Sequence, residues 1–366
     1  MRIVHLLSPA PAGGLERVVQ ALAIGQHRRN HDVLVIPVVE TLPDSDAFAA
    51  PLVRAGVGVM PIVVPPREYR KEREKLAGIL DSFSPDVVHS HGYRTNVVDG
   101  GLVRKRGIAM VGSAHGFTGG ALRNRVYEWL DCFALRTFDA AIAVSRPLGE
   151  KLIARGVRAS RLHVVPNAWS QIAPPLTRED ARAALNLAED QKVIGWVGRM
   201  THEKGVDVFV DALQRLTATG LTACLVGDGP EREIVESKAK VLGVSDRLVW
   251  TGLLQEAGRY FKAFDVLCQS SRTEGIPMVV LEAMAVGIPL VVTAVGGVPD
   301  VVSPSEAMLV APENPVALAN ALDHALADGA AAGVRAAAAK LRLQRQFSEA
   351  SWLDAHDRVY ASARRS

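Results

Sequence analysis

Cysteine is scarce in this 366-residue sequence, aromatic side chains are few, and no apolar run is long. The three cysteines, Cys132, Cys224 and Cys268, lie far apart with no CxxC spacing. They read as buried thiols in a reducing cytoplasm. No uninterrupted apolar stretch approaches the ~18–20 residues that span a bilayer. The opening MRIVHLLSPAPAGG carries one Arg and about five apolar residues before Ser8 and Pro9. That is too short for the apolar region of a signal peptide and reads as a buried first strand. Aromatics make up 5% of the chain, too few to interleave with basic residues along a nucleic-acid surface, so no nucleic-acid partner is expected. Low-complexity tracts and repeats of fixed period are lacking as well.

What is present is the composition of a globular protein, 48% hydrophobic and 22% charged, over a length that suits two domains better than one. Residues 1–168 hold 22 Lys/Arg against 15 Asp/Glu, and residues 169–366 hold 20 against 24, so the net charge of +3 conceals a basic first half and an acidic second half. A basic half suits an acidic ligand or an anionic surface; chance scatter over a solvated surface is the other explanation.

Short β-branched runs recur along the chain: 2–7, 32–39, 86–91, 109–115, 139–145 and 161–167, then 192–198, 222–227, 247–252, 265–271, 289–294 and 307–312. Helical stretches, such as Leu15–Ile24 and Arg125–Arg136, lie between them. Strands apolar on both faces and alternating with helices predict parallel sheets covered on both sides. Pro174 and Pro175, followed by a helix start at Thr177 with Glu179 and Asp180 in its first turn, read as a linker and a capped helix. The fold class expected is α/β, with two Rossmann-like doubly wound domains facing across a cleft. The first spans 1–168 and the second 169–347. A last amphipathic helix, about 348–366, is expected to cross back to the first.

Doubly wound domains bind ligands beyond the carboxyl ends of their strands. After the first strand come Gly13 and Gly14, opening a helix; paired glycines there let the backbone approach an anion, or simply make a tight turn. After the seventh comes Gly198-Arg199-Met200-Thr201-His202-Glu203-Lys204-Gly205. Arg199 and Lys204, beside a positive helix terminus, are what a diphosphate needs, unless they are solvated loop charges. In Ser271–Met284, Pro277 fits the first turn of a helix. Glu274 then falls just outside the helix and Glu282 in its second turn, with the N–H groups of Met278 and Val279 between them facing phosphates. A dipole partner and a surface charge are the plainer roles for these two carboxylates.

Gly198-Arg199 with Lys204-Gly205, Gly227-Asp228-Gly229-Pro230, Glu274 and Glu282, and Gly296-Gly297 together resemble the GT-B-fold retaining glycosyltransferases of family 4. The similarity covers nearly the whole chain. Gly13-Gly14, Ser90-His91-Gly92, His115-Gly116, Val144-Ser145 and Pro166-Asn167 are similar to that family's acceptor-domain landmarks, although Ala168-Trp169 departs from its usual small residues. The resemblance implies that Arg199 and Lys204 bind the donor diphosphate and Glu274 holds the donor sugar, with Gly275, Ile276, Pro277, Met278 and Val279 lining the same loop and helix start. It implies that Glu282 binds the ribose, that the backbone of Leu254 meets the base, that Gly13 and Gly14 close over the phosphates, and that His115 approaches the sugar. His115 and Glu274 are the catalytic candidates.

The donor implied is a nucleotide-diphosphate sugar, with no metal and no other cofactor, because two cations and a helix terminus replace a divalent ion. Asp44-Ser45-Asp46 matches a metal-binding Asp-x-Asp pattern but reads as a loop with a helix cap. No second carboxylate pairs with Glu274 as a glycosidase would require. The stretch from His115 to Arg125 resembles members that build bacterial surface polysaccharides on lipid-linked intermediates, with Arg123 and Arg125 as acceptor contacts. These residues and Arg104-Lys105-Arg106 suit a polyprenyl diphosphate or peripheral contact with an anionic membrane. The mixed charges of Arg67–Lys75 read as a solvated helix. Alternatives are a nucleotide-sugar 2-epimerase, which shares the architecture, and a glycosyltransferase acting on a small soluble acceptor.

Overall fold

The computed structural model describes residues 1–10, 13–117, 122–170 and 174–364. The chain divides into two compact units, Met1–Ala168 with Glu349–Ser366, and Trp169–Ser348.

In the first unit the strands are β1 (Arg2–Leu7), β2 (Asp32–Val39), β3 (Gly58–Val59), β4 (Ile62–Val63), β5 (Val87–His91), β6 (Ala109–Ala114), β7 (Ala140–Ala143) and β8 (Leu162–Val164). They form a sheet of order β3-β2-β1-β5-β6-β7-β8, with β4 pairing β2, and the pairings are parallel. In the second unit β9 (Lys192–Val197), β10 (Leu221–Val226), β11 (Leu248–Gly252), β12 (Val266–Gln269), β13 (Leu290–Thr293) and β14 (Met308–Val310) run parallel in the order β11-β10-β9-β12-β13-β14. Central strands such as β5 and β10 are buried at every residue, which is why their sequences show apolar runs and no alternation. In each sheet the strand order reverses beside the first strand, between β1 and β5 and between β9 and β12. Doubly wound sheets bind ligands at that reversal.

The last helix, Glu349–Ala363, packs within the first unit against β6, β7 and the opening helix Gly14–Arg28. Its Trp352, Leu353, Val359 and Tyr360 are buried. Arg29 ties it down through Asp354 at 2.7 Å and Asp357 at 3.1 Å. Thr177 caps its helix as expected, accepting the N–H of Asp180.

Four expectations need correction. The two-residue strands β3 and β4 were not anticipated; each is too short to show a period, and Met60-Pro61 separates them. Asp44-Ser45-Asp46 is no loop: it lies in the first turn of a helix, Pro43–Arg54, whose N-cap has no side-chain hydrogen bond. The stretch at Arg67–Lys75 is not wholly solvated either. Glu72 is fully buried and takes both guanidinium nitrogens of Arg94 at 2.7 Å, so a charge that looks like surface is a packed ion pair. Pro277 caps its helix from outside, in extended backbone, and the first helical residue is Met278.

Candidate functional site

In the second unit the sheet reversal brings together the segments that leave β9 and β12. Gly198 to Lys204 follows β9, and Ser270 to Glu274 follows β12. Gly205 takes a left-handed φ of 62° and lies so close to the Ser270 carbonyl that any β-carbon would collide with it. The Ser270 hydroxyl accepts from the Trp196 indole at 3.0 Å and donates to the Gly205 carbonyl at 2.7 Å. The two loops are thus held backbone to backbone. Gly296, at φ 52°, similarly admits the Glu274 carbonyl where a side chain would clash.

This clasp sets Lys204 Nζ 2.7 Å from Glu274 Oε1. The same oxygen accepts from Ser271 Oγ at 2.7 Å and Gln269 Nε2 at 3.2 Å. Three donors therefore converge on one carboxylate oxygen, while Oε2 has no partner among the described residues. The Glu274 side chain is only 7% exposed. Such a carboxylate is fixed in direction and keeps one oxygen able to accept hydrogen bonds.

Gly275, Ile276 and Pro277 are buried beyond it, and Met278 and Val279 open the nine-residue helix Met278–Val286 half-buried. Glu282 lies in the second turn of that helix, 9% exposed, with Gly258 leaving room for its carboxyl group. Leu254 is half-buried two residues past the end of β11. Arg199 is exposed and makes no ion pair among the described residues. Arg272, which follows β12, is committed elsewhere: it binds Asp207 through two nitrogens at 2.8 Å each.

In the first unit Gly13 is the N-cap of the opening helix, with φ 177°, an extended conformation open to any residue. Glu16, in the first turn, accepts the Ala10 N–H at 2.7 Å and ties that loop to the helix. His115 follows β6 and belongs to a cluster that sequence reasoning missed. His5 and His89 are register partners on β1 and β5, and His91, two residues on, faces the same side. His5, His89 and His91 are buried. His5 Nε2 lies 2.7 Å from Gln26 Oε1, His5 Nδ1 3.0 Å from His91 Nε2, and His91 Nδ1 3.3 Å from His115 Nε2. His89 bridges the Tyr360 hydroxyl and Ser113 Oγ, each at 2.7 Å. Burial pushes His5, His115 and His356 down to about 4 and holds His89 and His91 well below the ordinary histidine range. The rings are neutral at pH 7.

One ring nitrogen from each of His5, His89 and His91 lies within 4.8 Å of the others, the spacing of a metal triad. The ring nitrogens are nonetheless spent on different neighbours, Gln26, Tyr360, Ser113 and one another, so no three lone pairs converge on a common point.

Arg125 is exposed on the helix Leu122–Leu135, and the side chain of Arg123 lies outside the described residues. On the same helix Trp129 and Phe133 are exposed, with ring centroids 5.9 Å apart. Arg104 and Lys105 are exposed, whereas Arg106 is taken by Asp81 at 2.8 Å. The three cysteines are free and buried. No helix among the described residues is long and apolar enough to cross a membrane.

Two Rossmann-like units, each with its strand order reversed beside the first strand, define the GT-B fold class. Residues 12–169 match the family described as Glycosyltransferase Family 4, and residues 191–328 match Glycosyl transferases group 1. An uncharacterized glycosyltransferase of Methanocaldococcus jannaschii is 29% identical over 87% of both chains. A UDP-Gal:alpha-D-GlcNAc-diphosphoundecaprenol alpha-1,3-galactosyltransferase of Escherichia coli is 25% identical over 71% of this chain and 70% of its own. Among solved structures, Anabaena HepE in complex with UDP-glucose superposes with a TM-score of 0.86 at 21% identity, covering 99% of this chain and 100% of that one. The chain belongs to the family 4, group 1 glycosyltransferases, and its activity is glycosyl transfer.

Proposed function

We propose that the protein moves a hexose-type sugar, with retention of anomeric configuration, from a nucleotide-diphosphate sugar to a lipid-linked or polysaccharide intermediate of bacterial envelope glycan synthesis. The observation that carries the donor side is the Glu274 carboxylate, held on one oxygen by Lys204, Gln269 and Ser271 and open on the other. Oε2 accepts hydrogen bonds from the donor sugar's hydroxyls. Lys204 and Arg199, with the N–H groups of Met278 and Val279, offset the charge that builds on the leaving diphosphate, the electrostatic contribution that usually dominates such reactions. Glu282 takes the ribose hydroxyls, Leu254 offers backbone to the base, and Gly13 and Gly14 approach the phosphates. His115 meets a hydroxyl of the sugar.

The bond from the anomeric carbon to the phosphate oxygen breaks, and the acceptor oxygen bonds to the same face of that carbon. The acceptor's proton passes to the departing phosphate oxygen. Two cations and a helix terminus carry the electrostatics, so the reaction runs without a divalent metal. Support for a lipid-linked acceptor comes from the exposed Arg104, Lys105 and Arg125 and from the diphosphoundecaprenol substrate in the name of the E. coli relative. An enzyme with this acceptor works in the cytoplasm, at the inner face of the membrane.

A thermal-shift screen of UDP-, GDP- and ADP-sugars identifies the donor. Transfer from it to a polyprenyl-diphosphate-linked sugar, set against the free sugar, then tests the acceptor, and NMR of the product reads the anomeric configuration. Isomerised donor with no transfer product would place the protein with the epimerases.

A further inference from the structure

The unbroken line of contacts from Gln26 through His5 and His91 to His115 constrains where protons sit. Each ring is neutral and so has one N–H and one lone pair. Gln26 presents its oxygen to His5, and its amide nitrogen donates to the Tyr360 hydroxyl at 3.2 Å. His5 therefore carries its proton on Nε2 and offers Nδ1 as a lone pair. His91 must then donate from Nε2, which leaves its own Nδ1 to accept from Nε2–H of His115. The end of the line is His115 Nδ1, a lone pair, buried and without a partner among the described residues.

The branch through Tyr360 agrees. Having accepted from Gln26, the Tyr360 hydroxyl donates to His89 Nδ1, and His89 Nε2–H donates to Ser113. Turning the Gln26 amide over would reverse every bond and leave an N–H stranded at His115. A buried donor without a partner is rarer than an under-used acceptor, so the arrangement with the lone pair is favoured.

We propose that Gln26 acts as a positioning residue that fixes, through His5 and His91, the protonated nitrogen of His115, so that His115 presents Nδ1 as a neutral acceptor. The proposal rests on the reading of His115 as the group that meets the donor sugar. A bare ring nitrogen takes a hydrogen bond from a sugar hydroxyl and offers nothing to a phosphate oxygen, which can only accept. His115 would therefore select for the sugar and not for the diphosphate. The final helix joins the same network through Tyr360, whose hydroxyl accepts from the Gln26 amide and donates to His89 Nδ1.

The test is imidazole 15N NMR on the full chain, with His115 assigned by comparison with His115→Gln. Nε2–H tautomers at His5, His91 and His115 are expected in the unsubstituted protein. In Gln26→Leu the His115 signal becomes a mixture of tautomers, and kcat falls several-fold while the donor KM moves little. Gln26→Glu, which offers His5 only an acceptor, keeps the Nε2–H form. A proton on Nδ1 of His115 in the unsubstituted protein, or an unchanged tautomer in Gln26→Leu, overturns the proposal. Should Gln26→Leu fail to fold, the tautomer of the unsubstituted protein decides alone. The tautomer is read without substrate, so failure of the donor assignment is seen separately, as full turnover in His115→Ala.

Discussion

Lys204 Nζ lies 2.7 Å from Glu274 Oε1 although 70 residues separate the two in sequence. The cation assigned to the phosphates and the carboxylate assigned to the sugar are thus a single ion pair, and neither can be altered alone.

Replacing Lys204 by Ala removes a phosphate contact and also leaves the enclosed Glu274 carboxylate without its cation. Arg199, exposed and without an ion pair among the described residues, has no such second effect. Arg199→Ala is expected to weaken nucleotide-diphosphate binding by on the order of 2 kcal/mol. Lys204→Ala is expected to cost turnover beyond that, since removing one partner of an enclosed pair strands the other. Calorimetry with the nucleotide diphosphate, set beside steady-state rates, separates the two effects. Unchanged binding in both variants would remove them from the diphosphate site.

His115→Ala is expected to lower turnover far more than it weakens nucleotide affinity. The contact assigned to His115 is with the sugar, whereas the nucleotide contacts are assigned mainly to residues of the second unit, with only the backbone of Gly13 and Gly14 added from the first. Equal losses of nucleotide binding in His115→Ala and Arg199→Ala would show the assignment to be mistaken.

Activity is expected to survive excess EDTA, because the charge on the leaving group is met by Arg199, Lys204 and helix N–H groups. An absolute requirement for Mg²⁺ or Mn²⁺ would return attention to acidic positions such as Asp44 and Asp46.

Arg123→Ala combined with Arg125→Ala is expected to raise the KM of the acceptor and leave that of the donor nearly unchanged. Kinetics with each substrate varied in turn would show it. An equal rise in both would argue against an acceptor role.

The histidine cluster makes the fold sensitive to acid. In the unfolded chain these rings bind protons near the ordinary value of 6.5, whereas burial in the fold delays protonation of His5, His115 and His356 to about 4. Between those values the unfolded state holds more protons, so stability is fully present above about pH 6.5 and is lost as the pH falls toward 4. Asp99 works in the opposite sense. Burial, followed by the neighbouring Glu72 carboxylate, holds its carboxyl group up to about 8, so its contribution is lost as the pH rises from the ordinary carboxylate range toward 8. Urea midpoints measured across this range should rise from acid toward neutrality, and His356→Gln should flatten that rise.

Much of this was legible in the residues. The apolar runs marked twelve of the strands because buried parallel strands need apolar side chains on both faces. Arg199, Lys204 and Glu274 stood out as charges among glycines at the ends of such runs. The pairing of Lys204 with Glu274 was hidden, because it depends on β9 and β12 being neighbours, a matter of strand order that no local pattern reports. The histidine cluster was half visible. His89 and His91 alternate along one strand and so share a face, but His5 joins them only through the register of β1 against β5. Glu72 was misread because a charged helix in sequence says nothing of the single position that Arg94 draws inward.

The final helix has a consequence for synthesis. Residues 169–348 interrupt the first unit between its sheet and the helix that covers His89. A chain made from its N-terminus therefore lays down β1 to β8 and then a whole second domain before Tyr360 exists. Domains generally fold as they emerge, so the first domain must wait for its last piece with the histidine pocket uncovered. A released chain that ends at Ser348 should present a protected second domain and a protease-sensitive first one.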